Sequence, residues 1–200
     1  MPHQDARYEY RAFATDFGIV ERRLRAAGGA PQIRESAEVY FVGRDDDTHN
    51  VKLRNGELDI KVLVHRAKGL EQWDPKHQLD FPLSDRTLAE LLAPSLALTG
   101  RLPAGAGESP GRLTAALHAR EDVVVVDLFK RRFGFLVEDC IAEIADVTFN
   151  GAAIRTACVE STDLEQVLHV VSGLGLDAFP NVSYLTAIRR VVGLARTPVL

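Results

Sequence analysis

The sequence predicts an α+β fold: an antiparallel sheet large enough to curl or close into a barrel, with helices around it. Three observations carry that expectation. Two alternating segments meet at Asn55-Gly56 and two more at Asn150-Gly151, and Asn-Gly is the preferred two-residue hairpin turn because both central residues need φ > 0. Further strand-like segments are joined by turns, with helical segments at the periphery and no internal repeat. Finally, RYEYRAF, residues 7–13, alternates strictly but sorts Arg7, Glu9 and Arg11 onto one face, where period-two alternation ordinarily separates apolar from polar.

The elements follow in order. After the first strand, Thr15 or Asp16 is placed to cap a helix bearing Phe17, Val20 and Leu24, which stops at Gly28-Gly29. Residues 38–42 read as a short strand and 44–50 as a polar turn, before the hairpin VKLRNGELDIKVLV. Ser84 opens a helix carrying Leu88, Leu91 and Leu92, and LPAGAGESPG, residues 102–111, reads as a Gly/Pro-rich loop, flexible or a lid. Residues 123–129 are a nearly continuous apolar run ending in Lys130-Arg131-Arg132, punctuated by Gly134. Residues 135–149 are strand-like with a break or bulge, and 152–160 return after the second Asn-Gly turn. Thr162 with Glu165 forms a capping box for one closing helix, and Asn181 caps another that holds Tyr184, Leu185 and Ile188.

Composition limits the function classes. Two hundred residues, 46% hydrophobic and 26% charged, suit a single domain spanning 1–200. A net charge of −4 argues against a general nucleic-acid binder while leaving room for a local basic pocket. Cys140 and Cys158 are the only cysteines and show no zinc spacing, so they read as small buried residues. The histidines, His3, His49 and His169 among them, are scattered without a ligand pattern. No apolar run is long enough to span a membrane, MPHQDARYEY does not read as a signal peptide, and a cytoplasmic protein is the expectation. Trp73 reads as packing, Arg22–Arg25 as a solvated helix face, and no phosphate-binding glycine loop is present.

Counting from Asn55-Gly56 puts Arg54 opposite Glu57, Lys52 opposite Asp59 and Asn50 opposite Lys61, with Leu53, Leu58, Val51 and Ile60 on the other face. Alone, such a face is a solvated set of cross-strand pairs contributing a few tenths of a kcal/mol each. Several strands carry one, however: Arg7, Glu9 and Arg11 on the first, Lys130 and Arg132 on a later one, Cys158 and Glu160 on the last. Converging inside a closed sheet, these groups would make a lumen that is costly unless a ligand completes it. Basic groups hold a phosphate chain, Arg through bidentate contacts and Lys as a point charge. Carboxylates hold a hard cation such as Mg²⁺ or Mn²⁺.

At these positions the chain resembles CYTH-domain proteins, the triphosphate tunnel metalloenzyme superfamily. Arg7-Tyr8-Glu9-Tyr10-Arg11 sits where that family has Glu-x-Glu-x-Lys, and Lys52-Leu53-Arg54 resembles its Arg-x-Arg strand, with Lys61 as the following Lys. Lys130-Arg131-Arg132 resembles the later basic strand, Asp146 and Cys158-Val159-Glu160 the Asp and closing Glu-x-Glu, and NVSYLTAIRR the last helix. The resemblance implies a β-barrel tunnel in which Arg11, Lys52, Arg54, Lys61, Lys130 and Arg132 bind phosphate. It also implies that Glu9, Asp146 and Glu160 hold Mg²⁺ or Mn²⁺, with Glu9 and Glu160 as the catalytic pair.

The implied activity is metal-dependent hydrolysis of inorganic or organic triphosphate; the implied partner is a small triphosphate or polyphosphate, with no nucleic acid and no membrane, and a homodimer left open. The departures from the pattern weaken the metal site: Arg7 replaces the first Glu, Arg11 the Lys and Cys158 another Glu. A noncatalytic polyphosphate or nucleotide binder therefore stands beside the hydrolase, ranked just behind it. Counting across Asn150-Gly151 places Glu143 opposite Cys158 and sends Asp146 to the other face, whereas the spacing to Glu160 favours Asp146; both remain open.

Overall fold

The computed structural model describes residues 6–194, so His3 lies outside the described residues. Eight strands form a closed barrel: β1 (Arg7–Ala14), β2 (Gln32–Gly43), β3 (His49–Arg54), β4 (Glu57–Ala67), β5 (Leu70–Leu79), β6 (Val123–Val137), β7 (Cys140–Phe149) and β8 (Ala152–Ser161). Their order around the barrel is β1-β5-β4-β3-β2-β6-β7-β8, and β8 pairs back to β1. Every ladder is antiparallel.

The hairpins have the register that two-residue turns require. Asn55 and Gly56 have φ of 54° and 85°, Asn150 and Gly151 of 47° and 87°, the left-handed pair of a type I′ turn. The first pairs Lys52 with Asp59 and Asn50 with Lys61; the second pairs Glu143 with Cys158 and Asp146 with Arg155.

Among the described residues five α-helices clothe the barrel and a sixth closes one end; the first are α1 (Ile19–Gly28) and two short ones, α2 (Asp85–Thr87) and α3 (Ala93–Ser95), joined by a π-turn over Leu88–Leu92. Next come α4 (Pro110–His118), α5 (Leu164–Leu174) and α6 (Tyr184–Val191). Val51, Leu53, Leu58 and Ile60 of the first hairpin pack outward under Leu88, Leu92, Leu113 and Leu117. Ala142, Ile144, Ala157 and Val159 pack outward under Val20 and Leu24 of α1 and Val167, Val170 and Val171 of α5. The third cluster lies inside the barrel. Tyr40, Val42, Val126, Leu128, Ala145, Val147 and Phe149 follow the inward parity of Glu38, Lys130 and Glu143, and they surround Tyr184, Leu185 and Ile188. The apolar face of α6, with Tyr184, Leu185 and Ile188, therefore closes the apolar end of the barrel, while Arg190 and Val191 on its other face are exposed.

Several local expectations are corrected. The α1 N-cap is Gly18, with Asp16 Oδ1 only accepting from the Gly18 N–H at 3.2 Å. Asp163 rather than Thr162 caps α5, accepting from Glu165 and Gln166. Ser183 rather than Asn181 caps α6; the Asn181 side chain instead accepts from the Arg11 N–H at 2.8 Å and donates to the Gly69 carbonyl at 2.8 Å. β2 begins at Gln32, six residues before the short strand expected, because β6 runs unbroken past Gly134 and supplies a partner for each added residue. The break expected within residues 135–149 is a turn at Glu138-Asp139, both with positive φ. Residues 102–111 are no loose lid: Ala106 is buried, the Leu83 N–H donates to the Gly107 carbonyl at 2.7 Å, and a Cβ on Gly107 would lie 2.2 Å from the Leu83 carbonyl oxygen.

Candidate functional site: a charged pocket inside the barrel

The inward face at the other end of the barrel is charged. Glu9 and Arg11 on β1, Lys52 and Arg54 on β3, Lys61 on β4 and Glu160 on β8 all line one pocket of about 260 Å³, joined by Lys130 and Arg132 on β6. Eight strands with one inward parity bring together residues more than a hundred positions apart in the chain. Asp146 is not among them. It faces outward on β7, where its carboxylate accepts from Arg155 Nε at 3.0 Å, and Glu143 occupies the inward position instead. The turn at Asn150-Gly151 contains no bulge, so simple counting from it decides the face. The pocket is further lined by Glu38, Tyr40 and Tyr184, which the sequence reading did not single out. The signal for Glu38 and Tyr40 was their spacing of two on the strand that the reading began at Glu38.

The centre of the pocket is Arg11, 2% exposed. Its guanidinium donates to Glu9 Oε1 at 2.9 Å and to Glu143 Oε1 at 2.8 Å, and lies 3.5 Å from Glu160 Oε1. It also stacks 4.3 Å over the Tyr184 ring. Lys130 is 3.2 Å from Glu143 and 4.9 Å from the same ring. Arg132 lies 3.6 Å from the other Glu143 oxygen. A second pair is Lys52 with Glu38 at 2.8 Å, and Arg54 reaches Asp59 at 2.9 Å.

Burial and pairing compete in setting the protonation states. Burial alone would raise Glu143, but Lys130, Arg11 and Arg132 hold its carboxyl well below the ordinary range. Burial likewise opposes ionisation of Glu9, yet Arg11 and Lys61 bring its pKa below normal. Glu38 is pulled down to about 2 against its burial by Lys52 and Lys130. Lys52 goes the other way: burial, reinforced by Arg54 and Lys61, outweighs Glu38 and lowers it to about 8. The phenol of Tyr184 is pushed up to about 12 by burial, and burial raises the Cys158 thiol well above its usual value.

Seven basic side chains line the pocket against four carboxylates, Glu9, Glu38, Glu143 and Glu160. Arg7 and Lys61 make no ion pair among the described residues, and Arg54 pairs with Asp59, which is not on the lining, so these three carry its surplus of positive charge. Buried Tyr184 Oη and Asn50 Oδ1, both on the lining, have no hydrogen-bond partner among the described residues. The unpaired basic groups can donate to an anion, as can the Tyr184 hydroxyl, whereas the Asn50 amide oxygen can only accept.

The donors for a cation are fewer. Glu9, Cys158 and Glu160 each bring one ligand atom within 4.8 Å of the others. Both carboxylates already face Arg11, and the Cys158 thiol, protonated by burial, points at Glu160 Oε1 at 3.5 Å. A neutral thiol is a poor ligand for a hard cation, and a guanidinium between the two carboxylates repels one. These residues do not fit a preformed Mg²⁺ or Mn²⁺ site.

Comparison with solved structures agrees with the barrel. A protein from Hippeastrum, named for adenylyl cyclase and described as having a dominant triphosphatase activity, superposes with a TM-score of 0.54 at 13% identity over 97% of each chain. The eight-stranded barrel fits the CYTH fold. A conserved hypothetical protein from Pyrococcus furiosus superposes with a TM-score of 0.52 at 15% identity over 90% of this chain and 98% of that one. At such identities the likeness is one of fold alone. No family model and no curated protein matches the sequence. Among the described residues no helix is long and apolar enough to cross a membrane.

Proposed function

We propose that the protein binds the phosphate chain of a triphosphate inside its CYTH-like barrel, with Lys52, Arg54, Lys61, Lys130 and Arg132 as anion ligands and Arg11 as the fixed charge beneath them. The observation that carries this reading is the excess of seven basic side chains over four carboxylates on one lining, with half-buried Lys61 and exposed Arg7 outside any ion pair among the described residues. Like charges gathered on one pocket wall favour an anion that offsets them. Metal-assisted hydrolysis is the second reading, for which Glu9 and Glu160, close to one another, would be the cation ligands. It requires Arg11 to release both carboxylates.

Tripolyphosphate in the presence of a chelator should raise the melting temperature, since a ligand of the native state stabilises it by mass action. The shift should shrink on Arg54→Ala or Lys61→Ala. No shift at millimolar tripolyphosphate removes the binding reading. Phosphate release that needs Mg²⁺ or Mn²⁺ and falls at least a hundredfold in Glu160→Gln would establish the hydrolase. Release absent from the wild type but gained by Cys158→Glu would assign the natural chain as a binder.

A further inference from the structure

Two observations at the pocket mouth concern what the phosphate chain carries, and they rest on the reading of the pocket as a phosphate site. The first is an apolar shelf. Pairing of β2 with β6 stops at Gln32 and Gly134, but β6 and β7 run on through Leu136 opposite Ile141. By parity, Gly134, Leu136 and Ile141 share the inward face of Arg132 and Glu143. Leu136 is 64% exposed and Ile141 42%. They line a second cavity of about 560 Å³, and Arg132, Ile141 and Glu143 line both cavities, so the shelf continues the charged pocket outward.

The second observation is a like-charge pair. Arg34 on β2 sits directly opposite Arg132 on β6, both on the inward face, an arrangement that is unfavourable by itself. Arg34 makes no ion pair among the described residues and lines the outer cavity beside the shelf. An anion lying between the two guanidinium groups relieves their repulsion, which puts the outer end of a phosphate chain at the edge of Leu136 and Ile141. Gly134, between Arg132 and Leu136, keeps that edge open.

We infer that the ligand is an organic triphosphate whose chain passes between Arg34 and Arg132 and whose organic group rests on Gly134, Leu136 and Ile141. Inorganic triphosphate would fill the charged pocket and leave the shelf bare; contiguous exposed apolar surface joined to a polar site is characteristic of a ligand that is apolar at one end.

The test compares tripolyphosphate with ATP, GTP, CTP, UTP and thiamine triphosphate by calorimetry, with chelator present, on the wild type, Leu136→Ser and Gly134→Leu. A Cβ at Gly134 would meet only the Gln32 carbonyl oxygen, at 3.5 Å, so the leucine fits the backbone while filling the shelf. Leu136 is already exposed, so the serine variant folds. At least one organic triphosphate should lose tenfold or more in affinity in both variants, while tripolyphosphate changes by less than twofold. Equal losses for tripolyphosphate and every organic ligand, or no loss for any, overturn the inference. A wild type that binds none of the ligands would instead overturn the phosphate reading beneath it.

Discussion

The interior of this barrel has two halves built on the same strands. On β1 the inward positions pass from Arg7, Glu9 and Arg11 to Phe13; on β6 from Arg132 and Lys130 to Leu128 and Val126; on β7 from Glu143 to Ala145, Val147 and Phe149. One step of two residues separates salt bridge from hydrocarbon. In the apolar half, α6 supplies Leu185 and Ile188 and the side chains satisfy one another. In the charged half, carboxylates and basic groups satisfy one another incompletely. Tyr184 is the boundary: its ring packs with Phe13, Tyr40 and Phe149, and its upper side meets Arg11 and Lys130. The difference teaches that a barrel of this size needs one half filled to be stable before the other half can be left open for a ligand.

If that division is right, the two halves should respond differently to substitution. The largest loss of stability should come from the apolar half. Ile188 is fully buried, and Ile188→Ala should cost roughly 4 kcal/mol in urea unfolding, with little change in tripolyphosphate affinity if the folded fraction is accounted for. A loss below about 1 kcal/mol would mean that α6 is not the filler.

Next comes Glu143→Gln. It leaves Arg11 and Lys130 buried without their shared carboxylate, for roughly 3 kcal/mol of destabilisation, yet tripolyphosphate should bind more tightly because the positive surplus grows. A variant that loses both stability and affinity would give Glu143 a part in organising the phosphate site.

The third contrast is in pH. Lys52, lowered to about 8, is charged below that value and neutral above it. Its folded pKa lies below the unfolded one, so it disfavours folding at low pH, and that cost is relieved as pH rises from about 8 to the ordinary lysine value of 10.5. Phosphate binding has the opposite sign: affinity should fall as pH rises through 8, and binding at pH 8–9 should take up a proton, readable as a buffer-dependent heat. Lys52→Arg should abolish the step; a step that survives belongs to another group.

The smallest effect belongs to neither half. Asp146→Asn breaks an exposed pair with Arg155 and should change stability by under about 1 kcal/mol and phosphate affinity not at all. A clear loss of affinity would return Asp146 to the site.

How much of this was written in the sequence depends on the range over which each signal acts. The two Asn-Gly turns set local register, and with it the inward parity of Lys52, Arg54, Lys61 and Cys158. The same arithmetic pointed to Glu143, while similarity of spacing favoured Asp146; the turn proved free of bulges and the arithmetic prevailed. Glu38 was passed over because a single carboxylate at a strand start acquires meaning only beside Lys52, a neighbour in space. Arg34 fell in a stretch with no local signal, since β2 is extended there only by its pairing with β6. That α6 closes one end of the barrel was also illegible, because the same apolar stripe would serve a helix packed on the outer wall. Caps missed by one or two residues, at Asp163 and Ser183, reflect runs of several candidate capping side chains.

The far end of α6 has its own anchor. Arg189 donates to the carbonyl oxygens of Gly43, Arg44 and Asp46, each at 2.8 Å, fastening the helix to the link between β2 and β3. A plug so bolted turns a pipe into a cup. A ligand of the charged pocket would then have to come and go at the end opposite α6, past Arg7 and Lys61 on one side and Arg34, Arg132 and the leucine-isoleucine ledge on the other.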